Sequence, residues 1–208
     1  MNVEERRHSV LLITEGEDEE GLVRALIKHL SLPDCDVINA EGTGNLKPRT
    51  TAAMKIPGPP VHSLGIVRDA EADAARAAAS ARDILTSAGF EAPASAFQVA
   101  RTTKGACGYA ILPDGQRAGS IEDICLQSTC NVDTWRCVNL LFECLEKSAA
   151  KGCQSEQVER KARVQAYLAA CATDRVVHRA GLGFMKGHFD LDSACLAPMR
   201  EFLQALLK

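Results

Sequence analysis

The sequence predicts an α/β protein whose central sheet is mostly parallel and carries helices on both faces. Short apolar runs rich in β-forming residues alternate with segments of helical spacing in the first half of the chain. After Pro113 the character changes, and successive segments have helical patterns. For a chain of 208 residues we expect a single domain, with an α/β core over residues 1–115 and a mainly helical extension over 116–208 packed on it.

The strands are predicted from apolar runs that end at turn-forming residues. The first run, His8–Thr14, is followed by Glu15 and Gly16 and then by apolar residues at helical spacing up to Leu30. Pro33 ends that helix. The other strands are predicted at residues 35–40, 63–67, 95–100 and 108–112.

Helices are predicted where apolar residues recur every three or four positions. An alanine-rich helix covers residues 72–88, with Gly89 as its C-cap. A short helix covers residues 46–56 and follows a glycine-containing loop. The C-terminal helices are predicted at residues 121–129, 134–150, 156–172 and 194–207, whereas the glycine-rich stretch over 181–189 is interpreted as a loop.

The composition is that of an ordinary globular protein, and we expect a cytoplasmic location. Hydrophobic residues make up 46% of the chain and the formal net charge is −3, so the overall charge does not indicate a nucleic-acid partner. The N-terminal residues MNVEERRH lack the apolar segment of a signal peptide. No apolar run approaches the ~20 residues of a membrane span, so no membrane association is expected.

The cysteines favour a reducing compartment. There are nine of them, an odd number, and no two form a CxxC pair. We therefore expect mostly buried free thiols. Cys137 and Cys144 are seven residues apart and share a helix face, but the paired-ligand spacing of structural zinc sites is absent. A structural zinc site is accordingly the less favoured interpretation.

Acidic residues follow two of the predicted strands at the point where each strand ends. Glu15 follows the first strand, and Asp69 and Glu71 follow the strand over residues 63–67. Ligands of open parallel sheets bind outside the carboxyl ends of the strands, and alternate residues of an extended segment point the same way. If these strands are neighbours, three carboxylates converge. Such a group suits Mg²⁺ or Mn²⁺, because a cation relieves the repulsion between the carboxylates.

A purely structural interpretation stands beside this one. The acidic residues over 17–20 open a helix, where the helix macrodipole favours negative charge. Asp69 is also suited to cap the helix predicted to begin at Ala72. The local pattern alone leaves both interpretations open.

Two ordered motifs resemble the signature of the TOPRIM fold, Ile13-Thr14-Glu15-Gly16-Glu17-Asp18 and Gly65-Ile66-Val67-Arg68-Asp69-Ala70-Glu71. That fold occurs in topoisomerases, bacterial primases, recombination-repair proteins and the overcoming-lysogenization-defect (OLD) nucleases. Within this group the chain is most similar to small, stand-alone TOPRIM-related proteins of unassigned function. The similarity continues through residues 81–85, 111–115, 120–123 and 189–207, and so covers nearly the whole chain.

The resemblance implies a Mg²⁺ or Mn²⁺ site in which Glu15, Asp69 and Glu71 are the catalytic and metal-binding acids, with Glu15 also a general acid/base. The sequence departs from the Asp-x-Asp pattern at Glu71, whose longer side chain changes the reach of the carboxylate. It also places Arg68 directly before Asp69, where the guanidinium is able to pair with the acids and weaken metal binding.

Glu122 is the candidate for a further metal ligand, because OLD-type nucleases hold a second metal with acids beyond the core group. The alternative is that Glu122 only opens a helix for which Ser120 is the N-cap.

Basic residues in three loops are candidates for binding phosphate groups. As a set around an acidic metal centre they would form an electropositive rim for a nucleic-acid backbone, whereas each one alone is an ordinary solvated side chain. The candidates are Lys47, Arg49, Arg101, Lys104 and Lys186.

Together these patterns predict a TOPRIM-like, Mg²⁺-dependent protein that acts on nucleic-acid phosphodiesters, with nuclease-type hydrolysis as the leading hypothesis. The alternative is a non-catalytic interaction or regulatory module. OLD-type nucleases carry an ATPase on the same chain, whereas this sequence has no GxxxxGK[ST] loop; the alternative therefore predicts a protein partner such as an ATPase in trans. A third hypothesis is a nucleotide or phosphate sensor. The sequence leaves open whether the chain is an enzyme and whether it acts on DNA or RNA.

Overall fold

The computed structural model describes residues 5–148, 155–171 and 177–208, and it contains a five-stranded sheet. The strands are β1 (Val10–Thr14), β2 (Asp36–Asn39), β3 (Ser63–Asp69), β4 (Val99–Thr102) and β5 (Gly105–Leu112). Their order across the sheet is β2-β1-β3-β5-β4. Strands β1, β2, β3 and β5 pair in parallel, and only β4 runs antiparallel, at one edge. The mostly parallel α/β sheet expected from the sequence is confirmed.

Helices cover both faces of the sheet, as predicted. In the described residues they are α1 (Glu17–His29), α2 (Leu46–Ala53), α3 (Ala74–Ser87), α4 (Ile121–Gln127), α5 (Val132–Lys147), α6 (Glu156–Cys171), α7 (Ala180–Met185) and α8 (Ala197–Leu206). Successive strand side chains point to opposite faces. In β1, Leu11 and Ile13 pack against α2 and α3, whereas Leu12 packs into the larger cluster formed with the other helices.

The structure differs from the predicted elements at the β4–β5 hairpin. The strand predicted at residues 95–100 lies at 99–102, and the strand predicted to begin at Gly108 begins at Gly105. Gly105 has a φ of 129°, a value that glycine adopts without strain, and it begins β5 directly after the two-residue turn at Thr103 and Lys104. The predicted helices over 134–150 and 156–172 extend at their ends into 149–150 and 172, which lie outside the described residues.

Helix α7 lies within the stretch interpreted as a glycine-rich loop. Its glycines permit a close helix crossing, because a Cβ on Gly21 of α1 would lie 2.5 Å from the Cα and carbonyl carbon of Gly181. The Gly181 N–H donates a hydrogen bond of 2.9 Å to Asp18 Oδ1. The low helix propensity of glycine is therefore offset by backbone-to-backbone packing against α1.

Replacing Gly21 by alanine is expected to lower the free energy of unfolding by about 1–3 kcal/mol, since the new methyl group meets backbone rather than a movable side chain. Urea denaturation followed by circular dichroism measures the change. Gly44→Ala is the matched control, because a Cβ there has no neighbour within 4 Å. Equal stability of the two variants would contradict the tight α1–α7 crossing.

The cysteines only partly match the prediction. The eight within the described residues are free, but only Cys107 and Cys125 are buried, and Cys130, Cys137 and Cys144 are exposed. The expectation of mostly buried thiols is therefore wrong. Two of the exposed cysteines, Cys137 and Cys144, lie on the outward face of α5. Cys153 is outside the described residues. Within the described part of the chain, no helix has the length and apolar character needed to cross a membrane.

Candidate acidic site at the carboxyl edge of the sheet

Glu15 and Asp69 lie side by side at the carboxyl edge because their strands are neighbours. Strand β1 pairs in parallel with β3, with Thr14 opposite Val67. The Glu15 N–H continues that ladder by donating to the Val67 carbonyl at 2.9 Å, and its own carbonyl accepts from Gly42 N–H at 2.8 Å. The Glu15 backbone is thus held on both sides, and the carboxylates of Glu15 and Asp69 line the same cavity.

That cavity has a volume of about 640 Å³ and is dominated by acidic side chains. The cavity is lined by residues from the strand ends, the α1 N-terminus, the loop after β2 and the start of α4. The acids that line it are Glu15, Glu17, Asp18, Glu19, Glu41, Asp69, Glu71 and Glu122.

Asp69 is the most strongly perturbed of these acids. Its residue is only 8% exposed, and its Oδ1 has no hydrogen-bond partner among the described residues. Burial raises the pKa of the carboxyl well above its usual range, and the charges of Glu19, Glu122, Glu15 and Glu71 raise the pKa further. The carboxylate therefore lies in an environment that disfavours its charged form. It does not cap α3, since Asp73 accepts the Arg76 N–H there.

Glu19 is a buried acid that sequence reasoning assigned to the helix macrodipole. Its residue is 5% exposed, and burial raises the pKa of its carboxyl to about 7, with the charges of Glu15 and Asp18 adding to the effect and the N–H groups of Glu19 and Gly16 opposing it. Its position in the helical pattern could have revealed it, because Glu19 precedes Leu22 and Val23 by three and four residues and so lies on the buried stripe of α1.

Arg68 pairs with the acids, as the sequence suggested. Its Nε lies 3.4 Å from Glu15 Oε2, and both side chains are largely buried. The contact lacks hydrogen-bond geometry, so Oε2 has no hydrogen-bond partner among the described residues. The other carboxylate oxygen, Oε1, accepts a hydrogen bond of 2.5 Å from Thr43 Oγ1. Glu15 therefore keeps one buried oxygen available.

Glu71 reaches the same cavity by a different route from the one predicted. Strand β3 ends at Asp69, and Glu71 has a φ of 55°, so the expectation of an extended segment through Glu71 is wrong. The main chain of Glu71 instead forms two hydrogen bonds with Gly119, of 2.9 and 2.8 Å. Its Oε2 accepts from Gln157 Nε2 at 2.9 Å, which ties the acidic edge to α6.

The two acids at the start of α4 divide their roles. Ser120 is the N-cap, as expected, and its N–H donates to Asp123 Oδ2 at 2.8 Å. Glu122 lines the cavity and accepts from Ser120 Oγ at 2.6 Å. Glu122 therefore contacts the N-cap hydroxyl and also lies close enough to the acidic group for its charge to act on Asp69.

Comparison with known proteins shows the family of the chain but no activity. A family model described as protein of unknown function (DUF3226) matches residues 9–208. The chain belongs to the DUF3226 family. No curated protein and no solved structure matches it.

Besides Arg68, which pairs with Glu15, the cations beside the acids of this DUF3226 protein come from the C-terminal half of the chain. Lys161 on α6 and Arg179 before α7 line the cavity. The charge of Lys161 acts on Asp18, and Arg179 forms an ion pair with Glu17. Both residues were missed by sequence reasoning, since nothing local links either of them to strand ends far earlier in the chain.

None of the five basic residues predicted to surround the acids lines the cavity. Lys47 pairs with Asp83 at 2.7 Å, and Arg49 reaches the rim by pairing with Glu41 at 3.0 Å. Lys186 is the C-cap residue of α7 and does not line the cavity either.

Arg101 and Lys104 lie at the opposite edge of the sheet. Arg101 is paired with Ala106 at the start of β5, lines a separate cavity of about 740 Å³ and donates to the Ala205 carbonyl at 2.6 Å. Lys104 has its Nζ near Gly89, just beyond the end of α3. The structure therefore does not bring these two residues to the acids.

The acids fit a hard divalent cation in chemistry, although they do not form a complete ligand set. Within the described residues, no three His, Cys, Asp or Glu side chains are arranged around one point as metal ligands. Glu15 and Asp69 nevertheless each have a buried oxygen without a hydrogen-bond partner, and oxygen donors of this kind are those that Mg²⁺ and Mn²⁺ prefer.

Proposed function

We propose that this chain is a TOPRIM-like, Mg²⁺- or Mn²⁺-dependent protein that hydrolyses nucleic-acid phosphodiesters. The observation that carries the proposal is the group of buried carboxylates around Asp69. Its carboxyl is desolvated and repelled by four neighbouring acids, and buried oxygens of Asp69 and Glu15 lack hydrogen-bond partners within the described part of the chain. Glu15 is paired with Arg68, but Asp69 has no ion pair among the described residues. A buried charge without a partner is costly, and a divalent cation is the simplest group that would compensate it.

Glu15, Asp69, Glu71 and Glu122 would hold the cation, two of them from the strand ends and two from the segments that follow. The cation would activate water and neutralise charge on the scissile phosphate. Gln157 fixes the Glu71 carboxylate by a 2.9 Å hydrogen bond, and Thr43 fixes that of Glu15. These contacts restrict the rotamers of both acids and so reduce the cost of ordering them around a cation.

A phosphate backbone would be received by the cations that line the same cavity. Lys161 and Arg179 lie on its wall, and Arg49 is at its rim through Glu41. Positive groups beside an acidic metal centre attract the phosphate oxygens that the carboxylates alone would repel. Lys161 and Arg179 would thus take the phosphate-binding role that the sequence assigned to Lys47, Arg101, Lys104 and Lys186.

The test is cleavage of labelled single- and double-stranded DNA and RNA in the presence of Mg²⁺ or Mn²⁺. We expect cleavage that Asp69→Asn lowers at least about 100-fold, because loss of even an outer-shell partner of a metal site costs 10–100-fold. Asp83→Asn is the control, since Asp83 is exposed and contacts Lys47. The absence of cleavage with every substrate, or cleavage unaffected by Asp69→Asn, would contradict the proposal.

Lys161→Ala separates substrate binding from metal binding in the same assay. Removing the ammonium group is expected to raise KM about tenfold, the equivalent of one charge-assisted contact, while leaving Mn²⁺ binding intact. Lys28→Ala is the control, because Lys28 lies in the last turn of α1, far from the N-terminal end that lines the cavity. An unchanged KM would remove Lys161 from the phosphate site.

The second candidate is the non-catalytic interaction module that needs a partner protein. It is favoured by the incomplete ligand set, since within residues 5–148, 155–171 and 177–208 no three candidate ligands surround one point. A module of this kind predicts that the native chain binds no Mn²⁺ alone and cleaves nothing. An ATPase supplied in trans remains the partner that this candidate suggests.

A further inference from the structure

Helix α5 has an exposed apolar face opposite the face that packs on the protein. Its 16 residues bury only Val138 and Phe142, whereas Leu140 is 55% exposed and Leu141 is 49% exposed. At about 100° per residue, Leu140 points away from the buried pair. Exposed leucines at neighbouring positions of a surface helix are candidates for a contact with another protein.

The residues around Leu140 divide the exposed face into two flanks. Cys137 and Cys144, both exposed, lie on one side of the Leu140 direction, three residues before it and four after it. Arg136 and Glu143, also exposed, lie on the other side, four residues before and three after. One flank is therefore apolar and the other carries one charge of each sign.

This charge arrangement is self-complementary in one orientation only. In an antiparallel pair of α5 helices related by a two-fold axis at Leu140, each flank faces the same flank of the second copy, so residues of one flank at nearly equal distances before and after Leu140 face each other. Arg136 then faces Glu143 of the second copy, and Asp133 faces Lys147. A parallel pair would instead place each flank against the opposite flank of the second copy, and near the centre of the face it would place Asp133 beside Asp133 and Lys147 beside Lys147, so charge opposes it.

We propose that α5 is a homodimer interface at which a second copy of this chain docks its own α5 antiparallel, with Leu140 at the two-fold axis. The contact is isologous, so each favourable pair occurs twice. Leu140 supplies the apolar centre, Leu141 extends the cysteine flank at the edge, and the charged flank sets the direction. The interface does not depend on the acidic site or on its proposed activity.

The exposed cysteines provide a direct test of the orientation. In the antiparallel pair, Cys137 of one copy faces Cys144 of the other. Treatment of the full chain with a short bis-maleimide is expected to give a dimer whose linkage, mapped by mass spectrometry, joins Cys137 to Cys144. Cys137→Ser or Cys144→Ser should each abolish that linkage. The control Cys130→Ser, an exposed cysteine outside α5, should leave it unchanged.

Charge exchange tests the same interface without cysteine chemistry. By sedimentation velocity, Arg136→Glu is expected to weaken dimerisation about tenfold or more, because it sets like charges against each other twice. The double variant with Arg136→Glu and Glu143→Arg should restore it. A monomer at all concentrations, a Cys137–Cys137 or Cys144–Cys144 linkage, or a dimer insensitive to Leu140→Glu would each overturn the proposal.

Discussion

Replacing Asp69 by asparagine is expected to stabilise the metal-free protein by about 1–2 kcal/mol at pH 7.5, as substitutions that relieve a costly functional site commonly do. The asparagine has nearly the same shape but no charge to be desolvated, and it is not repelled by Glu15, Glu19, Glu71 or Glu122. Because burial raises the pKa of Asp69, the folded state holds its proton to a higher pH than the unfolded state. The advantage of asparagine is therefore absent below pH 3.8 and appears as the pH rises.

The same variant should lose the stabilisation that Mn²⁺ gives to the native chain. A ligand that binds only the folded state at 100 times its Kd adds about 2.7 kcal/mol, and without the Asp69 carboxylate that increment should vanish. Urea denaturation with and without Mn²⁺ measures both effects. Asp83→Asn should show neither effect. A destabilised Asp69→Asn protein that still responds to Mn²⁺ would contradict the assignment.

Glu19→Gln is expected to stabilise the metal-free protein by up to about 3 kcal/mol above pH 7, at about 1.4 kcal/mol per pKa unit. Burial raises the pKa of this carboxyl from 4.5 to about 7. Between these values the unfolded chain releases a proton that the folded chain keeps, so the native protein loses stability as the pH rises through that window. Glutamine does not titrate, so the Glu19→Gln protein does not lose stability across this pH range.

The pH profile distinguishes this cause from a general packing effect. The two proteins should have equal stability near pH 4 and diverge progressively up to pH 7, as measured by urea denaturation across that range. Glu20→Gln is the matched control, because Glu20 is the adjacent residue and forms a helix ion pair with Arg24, so its loss costs about 0.5 kcal/mol at most. A gain independent of pH would show that charge burial at Glu19 is not the cause.

The sequence was sufficient to predict the sheet and the pair of acids at its carboxyl edge. Apolar runs define β1 and β3, and the parallel direction of these strands follows from the helices α1 and α2 that connect β1 to β2 and β2 to β3. Glu15 directly follows β1, and Asp69 is the last residue of β3. The two side chains are therefore close whenever these strands are neighbours. That condition holds.

The rest of the site depends on contacts that local patterns do not carry. Lys161 and Arg179 reach the acids because α6 packs against α4 and α7 packs against α1. Glu71 is positioned by its pairing with Gly119 rather than by strand alternation. Helix α7 forms in a glycine-rich stretch because Gly181 packs against α1, which a propensity scale cannot include.

The most direct test of the central claim is calorimetric titration of the native chain with Mn²⁺ at pH 7.5, alongside Asp69→Asn and Asp83→Asn. If Asp69 holds a metal ion, we expect saturable binding to the native chain and to Asp83→Asn, and its loss in Asp69→Asn. The absence of binding to the native chain would contradict the metal site and favour an interaction module completed by a partner.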